Sequence, residues 1–349
     1  MTAPPLLEQA LFHRPDRQRP ELRARSAGFR AEWVPEAEQM ALDFGDRPSG
    51  LPCPPAVFAH PLTVEHVAVV RVADVPGRTG VLALHFLIVA RNLYERFLGD
   101  PFELAAQVPP VVDAAGELPA LPCPPPLPRT VERVRMILSR VKAGALREGE
   151  DPEAPDFRRT VANAESPALL GGVQVLVDGG RLIFERPAGD LDLLAGLWAL
   201  LPDGTRGRRW PASFAFSNRL EFDALAVPGF DPEDYPGYTT EEQAADYPPG
   251  SYELALQLAA EAGDQAALDR CFARHDSGEV LRRTLTLLAA VLLIVLGGAL
   301  LRPPPPSAPE ERAERRDQAA VAAGIAAAAD PWSALGLYQY GKLRWGQPP

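Results

Sequence analysis

Residues 66–90 read HVAVVRVADVPGRTGVLALHFLIVA. Two apolar runs, 66–75 and 81–90, are rich in Val and Leu and flank a Pro-Gly turn. Runs of this length and composition between turn residues are strand signals. They predict an antiparallel pair in a protein core. With the connection centred near residue 76, Val72 falls opposite Val81 and His66 opposite Leu87. His66 and His85 then become diagonal neighbours on one face. A slip of one residue would put them on opposite faces.

Outward from this pair, the first block, residues 1–118, mixes helix and strand. EWVPEAEQMALDF (32–44) predicts a short helix that starts near Pro35. RNLYERFL (91–98) begins a second helix, which DPFELAAQ (100–107) continues or restarts. Residues 119–128, PALPCPPPLP, read as a stiff linker of polyproline type. A second α+β block then occupies 129–230. It opens on an amphipathic helix whose Val131, Val134, Ile137, Leu138 and Val141 share one side. GVQVLVDGGRLIFER (172–186) predicts a hairpin turning at Asp178-Gly179-Gly180. LDLLAGLWALLP (191–202) predicts a buried helix ended by Pro202, with Asp190 and Asp192 as N-terminal caps. WPASFAFSN (210–218) predicts a short strand. Residues 231–251 read as an acidic linker rich in Tyr and Pro. Residues 252–281 read as a helical hairpin broken at Gly263-Asp264.

RRTLTLLAAVLLIVLGGALLRPPPP (282–306) contains 18 uncharged residues, from Thr284 at one end to Leu301 at the other. In a helix they extend about 27 Å, enough for a hydrocarbon core. Residues 282–302 therefore predict one transmembrane helix. The opening MTAPPLLEQALFHRPDRQRP has no charged region followed by an apolar one, so it does not read as a signal peptide. The expected topology is a single-pass bacterial inner-membrane protein with a cytoplasmic N-terminal region and its C-terminus outside. The tail, 303–349, carries a capping-box helix from Ser307 to about Ala329. It ends in aromatics mixed with cations (Trp332, Tyr338, Tyr340, Lys342, Arg344 and Trp345).

The chain has 349 residues and a formal net charge of −11. Residues 1–301 carry 29 basic and 41 acidic residues, a net of −12. Residues 220–269 hold 12 Asp or Glu and no Lys, Arg or His, which equals that whole excess. The stretch reads either as a solvated linker whose charges keep it soluble or as a docking strip for a basic protein partner through Asp231, Glu233, Asp234, Glu241, Glu242 and Asp246. Tyr235 and Tyr238 would serve as aromatic anchors. Nucleic acid is disfavoured, because phosphate binding needs clustered cations. The nearest cluster, Arg14, Arg17, Arg19, Arg23, Arg25 and Arg30, reads as internally paired or solvated. The three cysteines, Cys53, Cys123 and Cys271, form no CxxC pair and fit a reducing compartment.

Motifs for nucleotide, serine-hydrolase, zinc-protease and kinase chemistry are absent. No cofactor and no catalytic residue is expected. His60, His66 and His85, with Cys53 nearby, are the metal or enzyme candidates, and hydrogen-bonded structural histidines are the competing reading. Ser213 and Ser217 lack the glycines of a nucleophile elbow.

LDLLAGLWALLPDGTRGRRWPASFAFSN (191–218) has a Leu-rich helix, a Leu-Pro stop, an arginine cluster and a Phe-x-Phe-Ser strand. It follows LVDGGRLIFE (176–185). With HPLTVEHVAVVRVADV (60–75) and VLALHFLIV (81–89), it resembles GTPase-associated adaptor proteins of bacterial multi-component, conflict-type systems. The resemblance covers about residues 5–230. It implies a non-enzymatic connector between a GTPase-type switch and an effector, with no catalytic residue to carry over. The expected function is a membrane-anchored adaptor or scaffold for a protein partner. The alternatives are an enzyme built on the His66/His85 region and an envelope component acting through its tail.

Overall fold

The computed structural model describes residues 5–95, 99–144, 167–273 and 308–327. The chain divides into two units, Met1–Arg282 and Arg283–Pro349. In the first, the strands in chain order are β1 (Leu6–Pro15), β2 (Glu21–Ser26), β3 (Ala56–Pro61), β4 (His66–Asp74), β5 (Val81–Ala90), β6 (Gly116–Leu118), β7 (Leu121–Pro122), β8 (Arg181–Glu185), β9 (Pro211–Ala212), β10 (Ala224–Val227) and β11 (Tyr238–Thr240). The helices are α1 (Val34–Asp43), a single turn α2 (Arg91–Leu93), α3 (Pro101–Gln107), α4 (Val131–Gly144), α5 (Pro167–Val177), α6 (Leu191–Leu200), α7 (Asp203–Arg206), α8 (Glu241–Ala245), α9 (Ser251–Ala262) and α10 (Gln265–Phe272). The described part of the second unit is one helix, α11 (Ala308–Ala327).

All the strands join one sheet in the order β11-β8-β10-β9-β3-β4-β5-β1-β2-β6, with β7 paired to the start of β1. From β3 to β2 the neighbours are antiparallel. From β9 to β11 they are parallel. The two halves meet where β3 and β9 pair antiparallel at Phe58 and Ala212. Ser213 closes this seam, its N–H donating to the Val57 carbonyl (2.9 Å) while its Oγ accepts the Val57 N–H (2.9 Å).

β4 and β5 are apolar on both sides because both faces of the sheet are covered. Ala68, Val70, Val72, Leu84, Phe86 and Ile88 pack with Phe58, with Met40 and Ala41 of α1, and with Phe214 and Phe222. Val67, Val69, Leu87 and Val89 pack on the opposite side, under helices α3, α4, α5, α6, α9 and α10.

The expectation of two separate α+β blocks is therefore corrected: residues 1–118 and 129–230 build one mixed sheet. β9 and β10 are too short, at two and four residues, to show a period in sequence. The linkers are also part of the fold. Residues 119–128 include β7, and the Cys123 N–H donates to the Pro5 carbonyl (2.8 Å). Residues 231–251 include β11 and α8.

The expected hairpin at 172–186 is instead a helix followed by a strand. Leu169, Leu170, Val173 and Leu176 follow the spacing of a helix and are all buried. The alternation Val173, Val175, Val177 coincided with a helix buried on nearly every side. Gly171 sets its packing: a Cβ there would lie 1.9 Å from the Ala244 carbonyl oxygen of α8. The break at Gly263-Asp264 is present. Gly263 has φ 72° and ends α9, and the Asp264 side chain caps α10 by accepting the Ala267 N–H.

The membrane reading is corrected as well. Among the described residues no helix is long and apolar enough to cross a membrane. The transmembrane helix, the single-pass inner-membrane placement and the cytoplasmic-in, C-terminus-out topology find no support. The stretch between Thr284 and Leu301 lies outside the described residues. Apolar composition is also found in helices of the core, as in α5 and α6. Both are apolar on nearly all sides, and both owe this to burial between sheet and neighbouring helices.

Candidate functional site

β4 and β5 pair so that Val72 faces Leu84, Arg71 faces His85 and His66 faces Ala90. The connection centres near residue 78, and the resulting odd shift from the expected register separates the histidines. His66 lies on the α1 face, 4.8 Å from Trp33 between ring centres, with Nδ1 3.2 Å from Thr63 Oγ1. His60 is on that face too, its Nδ1 3.0 Å from the Pro61 carbonyl and its ring against Trp210 and Phe222. His85 is on the opposite face, buried under the connection that precedes β6. Burial lowers the pKa of His60 and His66, with Arg30 adding to the effect at His66. Burial, and then Arg71, pushes His85 down to about 4. The Cys53 thiol, buried and beside Asp74, is pushed up to about 12, so it carries no thiolate at neutral pH. Among the described residues no three His, Cys, Asp or Glu side chains are grouped to hold a metal ion. The His66/His85 enzyme reading thus loses its geometry.

A row of polar side chains on the His85 face does something else. The His85 Nε2–H donates to Gln9 Oε1 (2.8 Å), and Gln9 Nε2 donates to the Pro119 carbonyl (2.5 Å). His13 Nε2 lies 3.0 Å from the Val112 carbonyl, and Arg71 Nη2 donates to the Val108 carbonyl. The connection from 108 to 119 crosses the sheet mostly without regular structure, so its carbonyls need donors. Strand side chains supply them. In sequence these residues were only isolated polar positions in apolar runs.

Two further polar clusters are internal. Arg14, placed by sequence among solvated or paired arginines, is 1 % exposed. It donates to the Ala41, Leu42 and Gly45 carbonyls at the end of α1. Asp100 caps α3, accepting from the N–H groups of Phe102 (3.1 Å) and Glu103 (3.0 Å), 3.8 Å from the Arg206 guanidinium. Beside it Tyr94, fully buried, stacks on Trp210 at 5.9 Å, and burial raises the phenol pKa. Among the described residues, Tyr94 Oη, Thr205 Oγ1 and Arg206 Nε have no hydrogen-bond partner. Burial also raises the Asp100 carboxyl, opposed by Arg206. This cluster links α3 to α7, and Asp203 beside Arg206 (3.7 Å) is exposed.

The acidic stretch folds at the β11 end of the sheet. Asp223 is buried, accepting from Arg209 Nη1 (2.7 Å) and the Trp210 N–H (2.8 Å). Glu241 pairs with Arg186 at 2.6 Å. Tyr238 is half-buried: its Oη bonds Asn218 and the Phe222 carbonyl, and Arg181 lies 5.7 Å from its ring centre. Tyr235 packs between Phe230 (5.7 Å) and Tyr238 (6.0 Å). Burial raises the pKa of both phenols. The two tyrosines fasten the stretch to its own sheet, and both stay partly exposed. Asp231, Glu233, Asp234, Glu242 and Asp246 remain exposed, and among the described residues none forms a salt bridge. The open edge of β11 is closed locally. The Tyr238 N–H bonds the Tyr235 carbonyl, and the Thr240 N–H bonds Gln243 Oε1 in a capping box. That leaves little for an added strand.

Ser213 and Ser217 are structural: Ser213 closes the β3–β9 seam, and Ser217 Oγ donates to the Asp43 carbonyl (2.7 Å). Asp190 caps α6 as expected, accepting the Leu193 N–H (2.9 Å). Comparison with protein-family models, with curated proteins and with solved structures finds no match to this chain.

Proposed function

We propose that the chain is a protein-binding adaptor whose docking surface for a basic partner is the acidic end of the sheet. The observation that carries this reading is the set of exposed carboxylates on Asp231, Glu233, Asp234, Glu242 and Asp246. They lie in a stretch, 220–269, without a single cation to neutralise them. Such a surface steers a cationic partner and rejects anionic ones. The resemblance to GTPase-associated adaptors supports the adaptor class, and a link to a GTPase-type switch belongs to the same proposal. The dispersed, internally bonded histidines favour no enzyme reading. The aromatic tail, on which the envelope alternative rests, lies beyond the described residues.

The test changes those five residues to Asn or Gln and compares the full chain with the variant as bait. Proteins retained by the wild type at low salt and released as salt rises should be lost from the variant. Their melting temperatures should agree, since exposed charges away from special features contribute within about 0.5 kcal/mol. Equal, salt-insensitive retention by both would remove the docking role.

A further inference from the structure

Residues 124–128 read PPPLP, the end of the proline cluster that connects β7 to α4. Proline fixes φ near −65°, and a residue that precedes proline is pushed out of the helical region. Pro124, Pro125 and Leu127 each precede a proline, so the run favours the polyproline II conformation. Residues 123–130 accordingly form neither helix nor strand. The backbone is fastened to α3 on one side. The Leu127 N–H donates to Glu103 Oε1, and Gln107 Nε2 donates to the Pro125 carbonyl (3.4 Å). Before the run, the Cys123 N–H donates to the Pro5 carbonyl (2.8 Å); after it, Arg129 Nη1 donates to the Leu201 carbonyl (2.6 Å). Pro125, Pro126, Leu127 and Pro128 are nevertheless all exposed, Leu127 by 47 %. Exposed apolar surface continues into Pro122 and Leu6, which pair across β7 and β1.

Four exposed apolar residues in succession are out of place on a surface that meets only water. The shape and chemistry of this ridge select what covers it. Its prolines have no N–H, and the Leu127 N–H is already taken by Glu103, so the backbone offers carbonyl acceptors alone. Flat aromatic rings pack on pyrrolidine rings, and indole or phenol groups between them donate to such carbonyls; this is how polyproline segments are recognised. The bonds to α3 hold the ridge in place beforehand, which lowers the ordering cost of binding. A second copy of the described part offers no such groove, because among the described residues no Trp, Tyr or Phe is exposed. Arg129, the first cation after the run, is paired with Asp203 and only 11 % exposed, so recognition falls to the prolines and Leu127. We propose that residues 124–128 are a polyproline ligand that docks into an aromatic-lined groove of a partner protein. The surface lies beside β7 and β1, toward the other edge of the sheet from β11, and does not depend on the acidic strip.

The probes are two purified domains with aromatic-lined proline grooves, a WW domain and an SH3 domain. Each is paired with a form whose groove tryptophan is replaced by alanine. Calorimetric titrations use the full chain, its Leu127→Ser form and its Pro126→Ala/Pro128→Ala form. The wild type should bind at least one intact groove, and at least about tenfold more tightly than the form without the tryptophan. Both chain variants should lose about tenfold or more in affinity. Leu127→Ser keeps the backbone N–H that Glu103 accepts and alters an exposed side chain, so it should melt with the wild type. Loss in either variant with an unchanged melting curve supports the proposal. No binding to either intact groove, binding that survives removal of the groove tryptophan, or wild-type affinity in both variants overturns it. The chain with its five exposed carboxylates neutralised should bind the groove like the wild type, so failure here leaves the acidic docking surface standing. Self-association abolished by Leu127→Ser in sedimentation velocity would assign the ridge to a second copy and overturn the proposal.

Discussion

His85 shows how a single side chain is committed by its surroundings. It is buried, and Arg71 sits directly across the β4–β5 pair, so a second positive charge is poorly tolerated. The folded pKa, about 4, lies below the usual value of 6.5. The folded state therefore binds the proton less readily than the unfolded one. Stability is complete above about pH 6.5 and falls as pH drops toward 4, by up to about 3 kcal/mol for this group. His60, also lowered by burial, acts in the same direction. Urea midpoints at pH 7 and pH 5 should differ clearly for the wild type and less for His85→Leu; equal differences would remove His85 as a source of acid sensitivity. At another buried group, Tyr252 Oη donates to the Leu200 carbonyl at 2.6 Å. Tyr252→Phe leaves that carbonyl without a partner and should cost about 1–3 kcal/mol in denaturant unfolding.

Among the elements, α5 depends on a close approach that only glycine allows. The Ala244 carbonyl of α8 occupies the space that a Cβ on residue 171 would need. Gly171→Ala must push α8 away or shift α5, although alanine is the better helix former by about 1 kcal/mol. We expect a net loss of about 1–3 kcal/mol, read as a lower melting temperature. A higher one would mean that the two helices separate at no cost. α9 is the contrasting element: its inner face is bound to the core, while Leu254 and Leu258 on its outer side are exposed, so substitutions there should leave melting unaffected.

At the scale of the whole first unit, the sheet crosses the boundary that the proline cluster suggested. Phe58, Ala212 and Ser213 stitch β3 to β9, and both apolar layers draw residues from either side of 119–128. Residues 1–118 and 129–281, expressed separately, should therefore lack a cooperative melt and expose apolar surface to a hydrophobic dye. Mixed, they should regain structure. Two independent sharp transitions would restore the picture of two domains. The same arrangement puts the acidic stretch at one end of the sheet, beside β11, where exposed carboxylates meet no cation of their own segment.

The sequence alone determined what local pattern encodes. β4 and β5 were legible because runs of Val and Leu between turn residues admit little else. α1, α6, the α9–α10 break and the Asp190 cap were legible because Pro, Gly and Asp act on the backbone within a few residues. The charge asymmetry was legible by counting. Register, face and partnership were decided only in the tertiary structure. A register three residues away from the expected one, with Val72 opposite Leu84 and not Val81, separated His66 from His85, because side chains alternate between faces. The Val173–Val177 alternation became a helix because burial on all sides removes the periodic signal. Strands of two to four residues joined one sheet because their hydrogen-bond partners lie far away in the chain. Tyr235 and Tyr238 turned inward for the same reason: the groups that hold them, Phe230, Asn218 and Phe222, meet them only once β10 and β11 are placed on β8.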